Sequence, residues 1–189
     1  TGQGSLQDTA ALTCGFLQCL TEPVLHQGGS LDTYTGDGLV AFWGAPLPDP
    51  DHAAFAIEAG RQMVIRVRQW NEDRVRQGLP PARVRIGIET GPALVGDLGT
   101  RFRSTYTAVG DCINLASKLQ AAARNLPTDL IIGPLAAQAG LGRGDLIPVA
   151  EGHLLPGKTQ PVTLWTIRGL PSSVQFASTL ELPANTPPS

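Results

Sequence analysis

The chain has 189 residues, 16% of them charged, and a formal net charge of −2. One domain of that length buries roughly 70% of the surface its unfolded chain exposes, so a sizeable core is within reach. The balanced charge excludes a basic field for nucleic acid and a polybasic stretch for anionic lipid. Apolar runs such as Leu39 to Trp43 are far shorter than the ~20 residues a membrane-spanning helix needs, and no signal peptide opens the chain. A soluble, cytoplasmic segment without nucleic-acid or direct membrane contact is expected, tethered if at all by a region upstream. Cys14, Cys19 and Cys112 are odd in number and lack CxxC spacing, which fits reduced structural thiols rather than disulfides or zinc ligands. His26, His52 and His153 are isolated, so no histidine metal site is expected.

Ser5 is placed to cap a helix running to about His26, with apolar positions Leu6, Ala10, Phe16, Leu17, Leu20 and Leu25, a kink at Pro23 and a stop at Gly28-Gly29. Two short strands follow, Ser30 to Thr35 and Gly38 to Trp43, parted by Gly36-Asp37, a pair suited to the positive φ angles of a two-residue hairpin turn. The second strand is apolar on both faces, as a central or partner-facing strand would be. Prolines then hold Gly44 to Pro50 as a loop.

Asp51 is expected to cap a long helix to about Arg76, whose stripe of Ala53, Ala56, Ile57, Gly60, Met63, Val64, Val67 and Trp70 repeats at three and four. Arg83 to Thr90 alternates as a half-buried strand, followed by a strand over Ala93 to Asp97, a polar arm and a strand over Tyr106 to Val109. Asp111 is expected to cap a third helix to about Arg124. A strand at Leu130 to Ile132, a short helix from Pro134 and a hairpin of Leu146 to Leu155 with Val162 to Arg168 complete the order. Hairpin links exclude a purely parallel sheet, so the class is α+β, a mixed or antiparallel sheet with helices packed on it. Residues 169–189, rich in Pro, Ser and Thr, read as a flexible tail or linker behind a domain spanning 1–168.

Gly152 to Thr159, GHLLPGKT, fits the phosphate-loop pattern GxxxxGK[ST]. That loop must open a helix whose amides face phosphate, whereas Pro161 and the alternating Val162-Thr163-Leu164-Trp165 read as a strand. A nucleotidase of that type is therefore disfavoured; Lys158 is left as a solvated lysine beside a turn or a phosphate contact from a hairpin. Gly36-Asp37 alone is an ordinary turn, but a carboxylate at the tip of an apolar hairpin also suits Mg²⁺ or Mn²⁺. On the third helix Cys112, Leu115, Ala116 and Leu119 share one stripe, and Asn114 and Lys118, four apart, project from the opposite face. That pair is either solvated or presented to a ligand on a neighbouring subunit.

Four blocks in order, GGSLDTYTGDGLVAFWGAPLPDPDHA, VRIGIETGPALVGDLGT, YTAVGDCINLASKL and LPGKTQPVTLW, resemble the catalytic domain of class III adenylate and guanylate cyclases, the bacterial adenylate cyclase type in particular. The resemblance covers about Gly28 to Ile167. It implies a ferredoxin-like sheet, a head-to-tail homodimer, and conversion of ATP, in preference to GTP, to a 3′,5′-cyclic monophosphate and pyrophosphate with two Mg²⁺ or Mn²⁺ ions. Asp37 matches the second of the family's two metal aspartates. The first lies on a preceding strand, expected just upstream of Thr1, so the fold is expected to lack its first strand. From the partner subunit, Asn114 matches the ribose-orienting asparagine, and Lys118 stands where the family places its transition-state arginine. Thr33 stands where adenylate cyclases carry the base-reading lysine, and Thr107 matches a base-reading threonine of many bacterial adenylate cyclases. The departures at Thr33 and Lys118 keep a second expectation open, a degenerate cyclase homology domain that dimerises and regulates, and guanylate cyclase activity is a third.

Overall fold

The apolar stripes of the two long segments form α1 (Gly2–His26) and α2 (His52–Arg76), packed on each other in the computed structural model, which describes residues 2–35, 38–102, 105–140 and 145–175. Cys19, Leu20 and Val24 of α1 meet Met63, Val64 and Val67 of α2 in one buried cluster. Both helices stop the same way. Gly28 (φ +72°) and Gly78 (φ +74°) take the left-handed conformation, while the N–H groups of Gly29 and Leu79 reach back to the carbonyls of Val24 (2.8 Å) and Arg74 (2.9 Å). Those are Schellman motifs, and they satisfy carbonyls a helix end otherwise orphans.

The central sheet has the order β3-β6-β8-β7. In it β3 (Ile86–Ile88) runs parallel to β6 (Leu130–Ile132), and β8 (Val162–Ile167) is antiparallel to both β6 and β7 (Leu146–His153). Leu130, Ile131 and Ile132 are all fully buried, because β6 is covered on both faces. Leu130 and Ile132 join the α1–α2 cluster, together with Ala136 and Ala137 of α4 (Pro134–Gly140). Ile131 faces the other way, to Leu119 of α3 (Asp111–Ala122), Leu155 and Leu164. The α+β class with a mixed sheet is as the strand and helix order implied.

Two hairpins stand beside this sheet: β1 (Ser30–Thr35) with β2 (Gly38–Phe42), and β4 (Leu94–Asp97) with β5 (Tyr106–Val109). The ring of Phe42 packs on that of Tyr106, centroids 5.7 Å apart, and so joins one hairpin to the other. Among the described residues no helix is long and apolar enough to cross a membrane.

Three local expectations are corrected. The strand read over Arg83 to Thr90 is confined to Ile86–Ile88, because the amides ahead of it bond to side chains: Ala82 N–H to Asn71 Oδ1 at 2.8 Å, Val84 N–H to Ser173 Oγ at 3.3 Å. Asp51 occupies the N-cap of α2 but makes no side-chain cap bond. In α3 the N-cap is Gly110 and Asp111 is already helical; a Cβ on Gly110 would stand 2.7 Å from the Pro92 carbonyl oxygen, too close for any other residue without movement.

The chain beyond Gly169 begins packed. Ser173 is fully buried; its N–H donates to Asp129 Oδ2 at 2.6 Å, and its carbonyl accepts from Asn71 Nδ2 at 2.7 Å. Asp129 also takes Arg83 Nε at 2.7 Å. Residues 176–189 of the expected tail lie outside the described residues.

Candidate active site

Helix α3 is held against the sheet at unusually short range. A Cβ on Gly87 of β3 would stand 2.1 Å from the Ala116 carbonyl oxygen, so only glycine lets the strand and helix backbones meet there. With Leu119 pinned in the core, the opposite face turns outward, carrying Asn114 in the open and Lys118 partly buried. Sequence spacing put this pair on one face, and the helix places it there.

Lys118 meets a second element. Its Nζ lies 3.3 Å from where a Cβ on Gly157 would be, so the ammonium rests against the β7–β8 turn that carries Lys158. Gly157 has φ +74°, and the Lys158 N–H donates to the carbonyl of buried Leu155 at 3.0 Å, which anchors the turn to the core under α3. Among the described residues neither lysine forms an ion pair. The α3 cation therefore rests against the turn whose next residue is the exposed Lys158, a local excess of positive charge of the kind that suits a polyanion. The GKT segment lies between β7 and β8 and opens no helix, so the phosphate-loop reading is excluded.

In the flanking hairpins the structure pairs Thr107 of β5 with a residue that alternation did not single out. The Thr107 hydroxyl donates to both carboxylate oxygens of Asp32, at 2.7 and 2.8 Å, and the Ala108 N–H donates to Asp32 Oδ2 at 3.3 Å. Leu31 is registered with Ala41 and Thr33 with Val40, so Asp32 is the extra residue of a β-bulge. Bulges re-aim side chains, and this one turns Asp32 toward β5. Thr33 is exposed and its hydroxyl donates to the Tyr34 carbonyl at 3.4 Å. No strand-period signal marks a bulge, which is why Asp32 is missed from sequence.

Asp37 lies outside the described residues. Thr35 and Gly38, which flank it, are registered opposite each other. Its carboxylate is the hard oxygen donor Mg²⁺ or Mn²⁺ takes. Among the described residues no group of three or more His, Cys, Asp and Glu comes together.

Two further ionisable groups flank α3. Burial pushes the Cys112 thiol up from its ordinary value, and its Sγ is 3.6 Å from the Gly91 carbonyl, which makes it a poor nucleophile. Glu89 is pushed up too, first by burial, against the opposing N–H bonds of Thr90, Ala136 and Leu135; its Oε2 is buried with no partner. It serves as the cap of α4.

The architecture is thus a mixed sheet between helices, with a basic edge on α3 and the β7–β8 turn and a polar pair on the flanking hairpins. Residues 32–129, more than half of the chain, match the model of the adenylate and guanylate cyclase catalytic domain, and the chain belongs to that family, the class III nucleotide cyclases. It is similar to adenylate cyclase 1 of Rhizobium meliloti, at 33% identity over 135 residues, covering 71% of this chain and 20% of that protein. The chain spans about a fifth to a quarter of the length of two curated relatives it matches. Among solved structures it resembles the guanylyl cyclase Cya2 (25% identity, TM-score 0.73, covering 89% of this chain and 86% of that one). The adenylyl cyclase CyaB from P. aeruginosa shares the fold (24% identity, TM-score 0.73, 85% and 82% covered).

Proposed function

We propose that this domain converts ATP to 3′,5′-cyclic AMP and pyrophosphate, at sites formed between two head-to-tail copies. The observation that carries the reading is the meeting of Lys118, one helical turn from Asn114, with the Gly157 turn that carries Lys158 in a cyclase fold. There the Asn114 amide would orient the ribose, Lys158 would bind the triphosphate, and the Lys118 ammonium would offset charge growing on the α-phosphoryl oxygens as the 3′-oxygen attacks. Thr107 faces the base, with Thr33 as its expected neighbour. Asp37 is the carboxylate that would hold a divalent ion, which when bound makes the 3′-hydroxyl a better nucleophile and steadies the phosphates.

Exposed apolar side chains support the dimer. Leu94, Leu98, Phe102, Tyr106 and Val109, on β4, β5 and the arm between, are 39–94% exposed, a patch of the kind that marks an interface. The similarity, at 33% identity, to a protein named as an adenylate cyclase supports ATP rather than GTP as the substrate of this chain. A second reading, a domain that dimerises and regulates with little turnover, is favoured by the departures at Thr33 and Lys118: at residue 118 an ammonium lacks the planar fork by which a guanidinium grips two phosphate oxygens. The test is product analysis with ATP and with GTP in Mn²⁺, on the protein in its full natural length. Cyclic AMP as the main product supports the proposal; GTP as the better substrate overturns its base preference, and no cyclic product from either overturns the activity.

A further inference from the structure

Asp32 has no part in the mechanism above, yet it is aimed, by a bulge, at Thr107, a hydroxyl expected to meet the base. We propose that Asp32 is a positioning residue for purine choice: by taking the Thr107 proton it leaves that hydroxyl only lone pairs to offer, so the site favours a base that donates from its 6-position. The inference rests on the reading of Thr107 as the base-facing group and deepens it.

The chemistry follows from donor and acceptor counts. A threonine hydroxyl has one proton and two acceptor sites, whereas a carboxylate only accepts. With Oγ1 at 2.7 and 2.8 Å from the two Asp32 oxygens, the single proton is shared between them and is unavailable to a ligand. The third bond, from the Ala108 N–H to Asp32 Oδ2, fixes the carboxylate relative to the β5 backbone, so it is held in place with or without substrate. What Thr107 can then do is accept. Adenine presents an amino group at position 6 and guanine a carbonyl oxygen at the same place. An amino group would donate to Thr107, whereas a carbonyl oxygen would meet two acceptors and leave an unpaired contact. A polar site that fails to pair with a ligand discriminates against it more strongly than a missing apolar contact does. Thr107 is only partly buried, so the hydroxyl is not sealed from a ligand.

The same geometry gives Thr107 a polar partner although Thr33, itself exposed, turns its hydroxyl to the Tyr34 carbonyl. The partner is one residue earlier, brought round by the bulge.

The experiment compares Asp32→Asn with wild type for kcat/KM on ATP and on GTP, and for the affinities of ATP and GTP by calorimetry, so that a slow enzyme still gives a reading. In Asp32→Asn the side-chain amide can donate to Thr107 and free its proton for a carbonyl. The preference for ATP over GTP is expected to fall about tenfold, mostly through a gain with GTP, since one hydrogen bond is at stake. A ratio unchanged within about twofold, in a variant whose thermal unfolding matches wild type, overturns the inference. Should Asp32→Asn fail to fold, Thr107→Ser and Thr107→Val decide it: the first keeps the hydroxyl and must keep the preference, the second must lose it, and equal ratios in both overturn the proposal. Wild-type protein that prefers GTP refutes the ATP reading instead, whichever way Asp32→Asn moves the ratio.

Discussion

The Nζ of Lys118 lies 3.3 Å from the position a Cβ on Gly157 would take, so a side chain at residue 157 would press the α3 cation a few tenths of an ångström away from the β7–β8 turn. Gly157 also has φ +74°, where an L-residue costs about 1 kcal/mol. Gly157→Ala is expected to lower stability by about that amount but to reduce cyclase turnover about tenfold or more, because it displaces Lys118 and re-sets Lys158 together. Turnover falling no further than the loss of folded protein explains would dissociate the turn from the site.

Replacing the ammonium by a guanidinium tests the same cation in the opposite direction. Lys118→Arg is expected to raise kcat about tenfold with little change in KM, since the fork adds contacts that strengthen as charge develops on phosphate. Steady-state kinetics on the variant settle it, and no gain in kcat would mean that residue 118 does not face the reacting phosphate.

The Gly87 contact, 2.1 Å between a would-be Cβ and the Ala116 oxygen, carries α3 and its polar face. Gly87→Ala forces strand and helix apart and is expected to cost about 2–4 kcal/mol, read by urea unfolding, with activity falling as Asn114 and Lys118 shift. A loss under about 0.5 kcal/mol would show that the two backbones are free to separate there.

How much of this was readable beforehand divides by range. The β1–β2 hairpin, the α2 stripe and the Asn114–Lys118 face depend on neighbours within a few positions, and periodicity finds them. Asn71 interrupts the reading: it lies at a core position of α2, fully buried, and its amide is fixed by Ala82 and by Ser173, 102 residues away, so only the folded chain reveals why a polar residue stands there. The same holds for the short β3 and for Ser173 in a stretch whose composition suggests a loose tail. Of the site residues, Asn114 and Lys118 are singled out by helical spacing, Lys158 by the GKT segment, and Thr107 only by the resemblance to the cyclase family. The contact of Lys118 with Gly157 and the bulge at Asp32 have no such signal, because both are set by packing between elements distant in sequence.

Asn71 is therefore a stability test independent of catalysis. Asn71→Ala strands the Ala82 N–H and two carbonyls and is expected to lose about 2–3 kcal/mol in urea unfolding. An effect below about 0.5 kcal/mol would place those groups in water and contradict the burial seen here.

Glu89 predicts a pH dependence. Burial pushes its carboxyl above the ordinary 4.5, so the folded domain holds that proton more tightly than the unfolded chain. Stability from this group is fully present below the unfolded pKa and is lost as pH rises through the folded one. Wild type should thus gain on Glu89→Gln as pH falls from neutral toward the ordinary carboxylate range, in parallel denaturant titrations; parallel curves at all pH values would contradict it.

The most direct measurement is cyclic AMP and pyrophosphate formed from ATP in Mn²⁺ by the protein in its full natural length, wild type against Asp37→Ala. The two products are expected in equal amounts, with a loss of about a hundredfold or more in the variant, because a charged group essential to the transition state is removed. Undiminished turnover in Asp37→Ala, or no cyclic nucleotide from wild type at high concentration, would contradict that expectation.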